Sequence, residues 1–220
     1  GLHERRGLQY HWQNAGYATF EDFLSRFNAK RRHQIRRERR APEEQGVDIE
    51  VLSGRDIDPP LVDAFYDFYR STVERHFYGR LYLDRAFFEE LVVRAPSSIL
   101  AVLARDRASR RPIAGAWNLV GGGVLYGRYW GAREERPFLH FNVCFYRGIE
   151  ECIARGIRRF EPGAGGEHKL ARGFEPAVTR SLHHLGHPVL DAAVADFLAR
   201  ERAAVATHLD EYAEGPVLRR

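Results

Sequence analysis

The chain has 220 residues, of which 44% are hydrophobic and 12% aromatic, which predicts one main globular domain around a single core. Its formal net charge of +4 is local: residues 30–40 hold seven Lys or Arg and one Glu (+6), so the rest carries −2. No apolar run approaches the roughly 18 residues that a membrane span needs, so we expect a soluble, cytoplasmic protein.

The first part of the chain is predicted to form a basic amphipathic helix. Thr19 followed by Glu21 and Asp22 is typical of a helix N-terminus with acidic residues in its first turn. Apolar residues then recur at helical spacing up to Phe27, and the pattern continues through the basic run until Pro42.

The basic run supplies a candidate surface for polyanions. Arg32, Arg36 and Arg39 fall at helical positions i, i+4 and i+7, so their side chains are expected on one face. Such a face would bind the phosphates of a nucleic acid such as tRNA. A solvated helix end is the alternative interpretation.

The middle of the chain predicts a strand, two helices and three further strands. Residues 47–52 alternate as a strand, and apolar residues from Leu61 to Val73 form a helical stripe. Asp84 is placed to cap a second helix, which Pro96 ends. Alternation over three segments then predicts an antiparallel meander of residues 99–104, 113–120 and 124–130.

The last third predicts a crossover, a glycine-rich turn and a closing pair of elements. A helix ended by Gly156 precedes a strand at 157–160, which should run parallel to the strand before that helix. Glycines at 163, 165 and 166 follow, then a strand near 178–182 and a helix over 189–212.

The cysteines and histidines predict neither a disulfide nor a metal site. Cys144 and Cys152 lie eight residues apart in a predicted helix, about 12 Å along its axis, which is too far for a disulfide. Histidines at 183, 184 and 187 cannot all point the same way on a strand, and Asp191 is the nearest carboxylate. We therefore expect buried thiols and no bound metal.

Three segments carry long, distinctive motifs: 125–131 (Leu-Tyr-Gly-Arg-Tyr-Trp-Gly), 137–141 (Pro-Phe-Leu-His-Phe) and 161–174 (Glu-Pro-Gly-Ala-Gly-Gly-Glu-His-Lys-Leu-Ala-Arg-Gly-Phe). They resemble a bacterial family of predicted Fem-like N-acyltransferases in the GNAT superfamily. The family is described as peptidoglycan-related and as a double GNAT. The resemblance implies that this chain is the C-terminal half, with an N-terminal half expected upstream.

The resemblance also implies the fold and its boundaries. A GNAT fold is an α/β (α+β) fold whose mixed, mostly antiparallel sheet is flanked by helices and splays open between its fourth and fifth strands. We expect residues 1–46 to be the basic helical segment and residues 47–220 the GNAT-like acyltransferase domain.

Two departures from the family's pattern concern chemistry. Asn142 stands where the resemblance predicts an acid after His140-Phe141. Relatives that use acetyl coenzyme A carry a glycine-rich pyrophosphate loop before this helix, whereas residues 133–141 contain no glycine. Coenzyme A binding is therefore expected to be weak or absent, and the donor stays open between an acyl-CoA thioester and an aminoacyl-tRNA.

The strongest candidate site is the segment Glu167-His168-Lys169, with Arg172. It follows a glycine turn at the carboxyl end of a predicted parallel strand, where open α/β sheets place ligands. If the segment is extended, Glu167 and Lys169 share a face, as base or amine anchor and as anion anchor, and Arg172 would hold a carboxylate or phosphate. The alternative is a solvated polar loop.

Four further residues are candidates on the strand and helix before that turn. Tyr126, Arg128 and Trp130 lie two apart, so regular alternation places them on one strand face, where they could bind substrate. His140 near the next helix start could shuttle a proton or simply cap the helix. Ordinary core packing is the alternative for the two aromatics.

Together these observations lead to two functional hypotheses. The first is an enzyme that moves an acyl or aminoacyl group to a small-molecule or peptide amine by direct attack, without a covalent enzyme intermediate. The second is a catalytically inactive GNAT-like module that binds a polyanion or a partner protein.

Overall fold

The computed structural model describes residues 1–75 and 79–214, apart from the side chains of Glu167, Ala213 and Glu214. The chain forms two compact units: a larger unit, Trp12–Gly163, and a smaller unit, Gly1–His11 with Ala164–Arg220. This division differs from the expected boundary after residue 46. Residues from Trp12 onward belong to the larger unit because their aromatic side chains, such as Phe20 and Phe23, are buried in its core.

The chain opens with a strand that the sequence analysis did not predict. Strand β1 (His3–Gln13) pairs antiparallel through His3–His11 with β7 (Glu175–His183) in the smaller unit. In the larger unit its last two residues pair with β6 (Arg159–Glu161). Charged residues interrupt its alternation, and its partner strand lies about 170 positions away in the sequence, so no local pattern marks it.

The predicted basic helix is two helices. Helix α1 (Phe20–Leu24) is capped by Thr19, whose side chain accepts from the Asp22 N–H at 3.0 Å. Helix α2 (Ala29–Glu44) starts separately because the Asn28 side chain accepts from the Arg31 N–H at 2.9 Å. The basic run therefore forms a helix of its own, which continues past Pro42.

The larger unit is built on the predicted sheet. Four strands form an antiparallel meander, and β6 then pairs parallel to the last of them through three residue pairs, which confirms the predicted crossover. The four are β2 (Val47–Ser53), β3 (Ile99–Asp106), β4 (Pro112–Gly121) and β5 (Val124–Ala132).

Two helices cover one face of this sheet. Helices α3 (Pro59–Glu74) and α4 (Arg85–Arg94) are capped as predicted by Asp58 and Asp84, each accepting an N–H at 3.0 Å. Their apolar stripes pack against β3 and β4 in an aromatic core of Phe65, Phe68, Tyr69, Phe88 and Trp117.

The helix after β5 contains a wider turn. It starts as α5 (Leu139–Phe141), widens to a π-helical segment at Asn142–Tyr146 and continues as α6 (Arg147–Ala154). The residue before it, Phe138, has a φ of 63°, an uncommon value for a bulky side chain. A π-turn and a left-handed residue therefore lie together at one helix start, an arrangement found often at functional sites.

The smaller unit adds β7 and the closing helix α7 (Pro188–Glu214) to the first part of β1. Mixed strand pairing with flanking helices confirms the predicted α/β (α+β) class. Within the described residues, no helix is long and apolar enough to cross a membrane.

Candidate functional site

Strand β5 carries a bulge at Arg128. Tyr129 pairs with Trp117 and Gly127 with Asn118, so the register shifts and Arg128 has no partner in β4. The extra residue reverses the alternation of everything that follows it.

Because of the bulge, the prediction that Tyr126, Arg128 and Trp130 share one face of the strand is wrong. Tyr126 pairs with Leu119 and Tyr129 with Trp117, so both tyrosines lie on the face covered by α3 and α4. Trp130 pairs one residue further on and lies on the opposite face. A regular period of two had placed Tyr126, Arg128 and Trp130 together.

Beyond Tyr126, β5 loses its parallel neighbour. The pairing with β6 ends at Tyr126 and Glu161, although β5 continues to Ala132. The C-terminal end of α3 supplies hydrogen bonds further along: Thr72 Oγ1 donates to the Trp130 carbonyl at 2.6 Å, and Nη2 of Arg75, the C-cap residue, donates to the Ala132 carbonyl at 3.1 Å. The sheet therefore opens on one side of β5 without leaving these carbonyls unsatisfied.

A pocket of about 240 Å³ lies where β5 ends and the next helix begins. Its apolar part is formed by Trp130, Ala132, Leu139 and His140. The His140 ring is half-buried, with its centroid 4.8 Å from that of Trp130. The structure thus brings together Trp130 and His140, which were predicted as separate candidates from the sequence.

The charged residues that line this pocket are paired with each other. Arg136 Nη2 lies 2.8 Å from Glu134 Oε2, and Arg75 Nη1 lies 3.2 Å from Glu135 Oε1. The hydrogen bond from Arg136 lowers the pKa of Glu134, so this carboxylate is ionised at neutral pH. The pocket's charges therefore balance, and the loop 133–141 beside it has no glycine of the kind that cradles a pyrophosphate.

A buried polar network, missed by the sequence analysis, holds the helix start. Asn142 Nδ2 donates to the carbonyl oxygens of Glu38 at 2.8 Å and Phe138 at 3.0 Å. The buried Glu38 carboxylate accepts from the Tyr146 hydroxyl and, at 2.9 Å, from Gln34 Nε2. Position 142 needs a donor here, and an ionised acid could not provide one.

The predicted polyanion-binding residues are engaged by the protein itself. Arg32 donates to the Phe27 carbonyl at 2.6 Å, and Arg36 lies 2.6 Å from Glu21. Arg39 is ion-paired with Glu150, and its guanidinium carbon lies 3.9 Å from the centroid of the Phe20 ring. Their charges therefore stabilise the docking of α2 on its neighbours.

A different face of α2 is exposed and basic. Lys30, His33, Arg37 and Arg40 are spaced by three, four and three residues, and all four are exposed. Arg37 lies at the pocket end, where its guanidinium carbon is 5.8 Å from the centroid of the Phe138 ring. We call this set the outer face of α2.

The smaller unit holds the Glu-His-Lys segment as a compact 3-10 turn, Glu167–Arg172, and not as the extended segment that was expected. Lys169 Nζ donates to the Ala164 carbonyl at 3.2 Å, and Arg172 Nη1 donates to the His168 carbonyl at 2.8 Å. Both side chains are buried, whereas His168 is exposed. The Glu167 side chain lies outside the described residues, and the catalytic roles in this segment stay predictions.

The pKa of His168 is lowered. Partial desolvation of its ring is the larger cause, and the positive charges of Arg172 and Lys169 add to it. The imidazole is therefore neutral at physiological pH and able to accept a proton.

The two cysteines are free thiols, and one of them is fully buried. Cys144 and Cys152 are both thiols, and burial raises the pKa of Cys152 to about 12, so it does not form a nucleophilic thiolate at neutral pH. Over the part of the chain that the structure describes, no cluster of three His, Cys, Asp or Glu residues could hold a metal ion.

The charge environment of His168 gives a testable prediction. Replacing Arg172 by Gln removes a nearby positive charge, so the pKa of His168 should rise towards its ordinary value. NMR titration of the His168 ring protons measures this. In the parent, the lowered pKa means that stability falls as pH drops below the unfolded-state value near 6.5, and this loss should be smaller in Arg172→Gln. An unchanged His168 pKa in a folded Arg172→Gln variant would show that the charge of Arg172 does not lower this pKa.

Similarity to known proteins agrees with this architecture. The chain resembles L-PGS from Bacillus licheniformis (TM-score 0.59, 10% identity) over 90% of its own length and 67% of that chain. It also resembles the C-terminal domain of a putative lysylphosphatidylglycerol synthetase from Agrobacterium fabrum, with a TM-score of 0.62 and 13% identity. That likeness covers 91% of this chain and 66% of the other. A third similar structure is FemX, with a TM-score of 0.56 and 12% identity over 84% of this chain and 63% of the FemX chain.

These three likenesses show a shared fold, and the chain spans about two thirds of the length of each structure or slightly less. Among proteins with curated descriptions, none matches this chain. The FemAB-like family model, described as peptidoglycan biosynthesis/recognition, matches residues 1–219. The chain therefore belongs to the FemAB-like family.

Proposed function

We propose that this protein is an N-acyltransferase that moves an aminoacyl group from tRNA to an amine by direct attack. The observation that carries the proposal is the opened edge of β5, with the Arg128 bulge at one end and the Trp130–His140 pocket at the other. An opened strand edge offers backbone groups to a substrate, and the adjacent imidazole offers a proton acceptor.

The reaction needs few groups from the protein. The amine nitrogen attacks the ester carbonyl carbon, a C–N bond forms, and the C–O bond to the tRNA ribose breaks. The amine proton passes to His140, which then gives it to the departing ribose oxygen. The N–H of Arg128, which has no register partner in β4, is our candidate donor to the oxyanion.

The tRNA donor is favoured over coenzyme A by charge. The arginines of the pocket, Arg75 and Arg136, are paired with Glu135 and Glu134, so its described lining offers no unpaired positive charge to a pyrophosphate. The outer face of α2 is basic and exposed, and Arg37 contacts Phe138, two residues before His140. A phosphate backbone lying along this face would therefore end near the pocket. One structural neighbour is assigned as a lysylphosphatidylglycerol synthetase, a name that also involves an amino acid.

For the smaller unit we propose a supporting role. Lys169 and Arg172 act as positioning residues, since each bonds a carbonyl oxygen of the turn or of the segment leading into it. The same turn contains Glu167, whose role as base or amine anchor stays a prediction, and the neutral His168. The acceptor is an amine on a small molecule or peptide, and the family's description favours a peptidoglycan component.

Activity is tested with charged tRNA carrying a radiolabelled amino acid and an amine-bearing muropeptide. We expect transfer of label from tRNA and none from radiolabelled acetyl coenzyme A. His140→Gln should lower turnover by about 10²-fold, the usual contribution of a general base. The control His184→Gln, an exposed histidine of the smaller unit, should keep full activity. Transfer from coenzyme A alone, or full activity in His140→Gln, would contradict the proposal.

Binding of tRNA tests the outer face of α2. A triple variant with Gln at Lys30, Arg37 and Arg40 should bind tRNA more weakly, because phosphate contacts are lost. The slope of log affinity against log salt should fall by about one unit for each contact removed. A control triple variant at Arg55, Arg94 and Arg200 removes the same charge elsewhere and should bind as the parent does. Equal losses in both would show non-specific attraction, and binding without any transfer would favour the inactive polyanion-binding module.

A further inference from the structure

Helix α7 of the smaller unit docks on β1 through one of its faces. Asp191 Oδ1 lies 2.7 Å from His3 Nε2, and Glu201 Oε1 lies 2.7 Å from Arg5 Nη2. Leu198, between these two acids on the same side of the helix, is buried. These contacts define the inner face of a helix of 27 residues.

The opposite face of α7 carries a regular row of exposed residues. Their spacing is four, three, four, three and four, the alternation along which two helices pack together. The row consists of Val189, Ala193, Asp196, Arg200, Ala203 and Thr207. We call these six residues the outer row of α7.

The outer row is complementary to itself about its midpoint, the position of Leu198. Residues at equal distances on the two sides of this position form three pairs: two β-branched side chains, two alanines, and an acid with a base. The pairs are Val189 with Thr207, Ala193 with Ala203, and Asp196 with Arg200. A second copy that packs antiparallel across a twofold axis at this point would bring the members of each pair together.

The two charges of the row favour this antiparallel direction. Asp196 and Arg200 lie 2.8 Å apart on one helix, and about 70% of each side chain is exposed. In an antiparallel pair, each gains a second partner of opposite sign from the other copy. In a parallel pair, each would face a residue of its own charge, which destabilises the contact.

Phe197 supplies a large apolar surface beside the midpoint of the row. It is 50% exposed, and Leu190, seven residues earlier on the same side of the helix, is 52% exposed. The twofold axis keeps this side of both helices on the same side of the pair, so the Phe197 rings of two copies lie next to each other. Buried aromatic anchors near the centre of an interface contribute most of its binding energy.

A membrane surface fits this face less well than a second copy does. Helices that lie on anionic membranes carry several Lys or Arg residues along their polar side. The outer row has one arginine, and the charge of Asp196 offsets it.

We propose that the outer row of α7 binds a second copy of this chain as an antiparallel helix pair centred on Leu198. The interface does not depend on the transfer reaction. Because the contact is limited to one helix face, it buries less than the roughly 1,600 Å² of a standard interface, and we expect a dissociation constant on the order of 10 µM.

Sedimentation velocity with the full chain tests the dimer over a range of about 1 to 100 µM. The mean mass of the parent should rise from that of one chain towards that of two. Phe197→Glu should stay monomeric, because it places a charge in the apolar centre of the contact. The control Val93→Glu, at an exposed apolar residue of α4, should dimerise as the parent does.

Reversing the charges tests the antiparallel direction. Asp196→Lys should weaken the dimer by at least about tenfold, because Lys would face Arg200 of the second copy. Adding Arg200→Glu restores opposite charges within and between the copies, so the double variant should recover the dimer. The control Glu90→Lys reverses one charge of a similar exposed pair, with Arg94, and should change nothing.

Four results would overturn the proposal, provided that circular dichroism shows each variant to be folded. They are a parent that stays monomeric at about 100 µM, a dimer that survives Phe197→Glu, a dimer unaffected by Asp196→Lys, and a double variant that does not recover. Vesicles of phosphatidylglycerol give a further comparison. Binding of a monomeric parent to them, lost in Phe197→Glu, would identify the face as a membrane contact and would also overturn the proposal.

Discussion

The backbone of β5 beyond Tyr126 is the constraint on which the larger unit's site depends. A strand that loses a neighbour must find other partners for its carbonyl groups or expose them to ligand and water. Here Thr72 of α3 and Arg75, the residue after α3, donate to two of these carbonyls, which requires α3 to lie very close. Gly131 permits this approach, because a Cβ there would stand 1.8 Å from the Phe68 carbonyl oxygen. The close packing of α3 thus stabilises an opened sheet edge.

The bulge then decides which of two adjacent aromatic rings of β5 lies on each face of the sheet. Tyr129 packs on the side of α3 and α4 against Tyr69 and Phe88, whereas Trp130 faces the pocket with His140. Without the extra residue in β5, regular alternation from Tyr126 would exchange the faces of these two rings. The network of Glu38, Asn142 and Tyr146 fixes the helix start at the pocket, so both sides of β5 are held by buried contacts.

Elements with strong local periodicity could be predicted from the sequence, including the meander, the crossover and the caps at Asp58 and Asp84. Strand β1 could not, because its pairing is non-local and the charged residues Glu4, Arg5 and Arg6 interrupt its alternation. The Arg128 bulge leaves no compositional mark, so alternation misplaced Trp130. In the basic run, charge alone could not tell inward arginines such as Arg39 from outward ones such as Arg37. Burial of the single acid, Glu38, decides which face is inside.

The central claim is that Arg128 is an extra residue in β5, and its deletion tests this directly. Removing a bulged residue restores regular pairing and leaves Tyr129 and Trp130 on their present faces, whereas removing a paired residue reverses a strand. In urea unfolding, the Arg128 deletion should stay cooperative and lose no more than about 2 kcal/mol. Deletion of Ala116, which pairs with Trp130 in β4, should prevent folding or cost far more. Equal destabilisation by the two deletions would contradict the account.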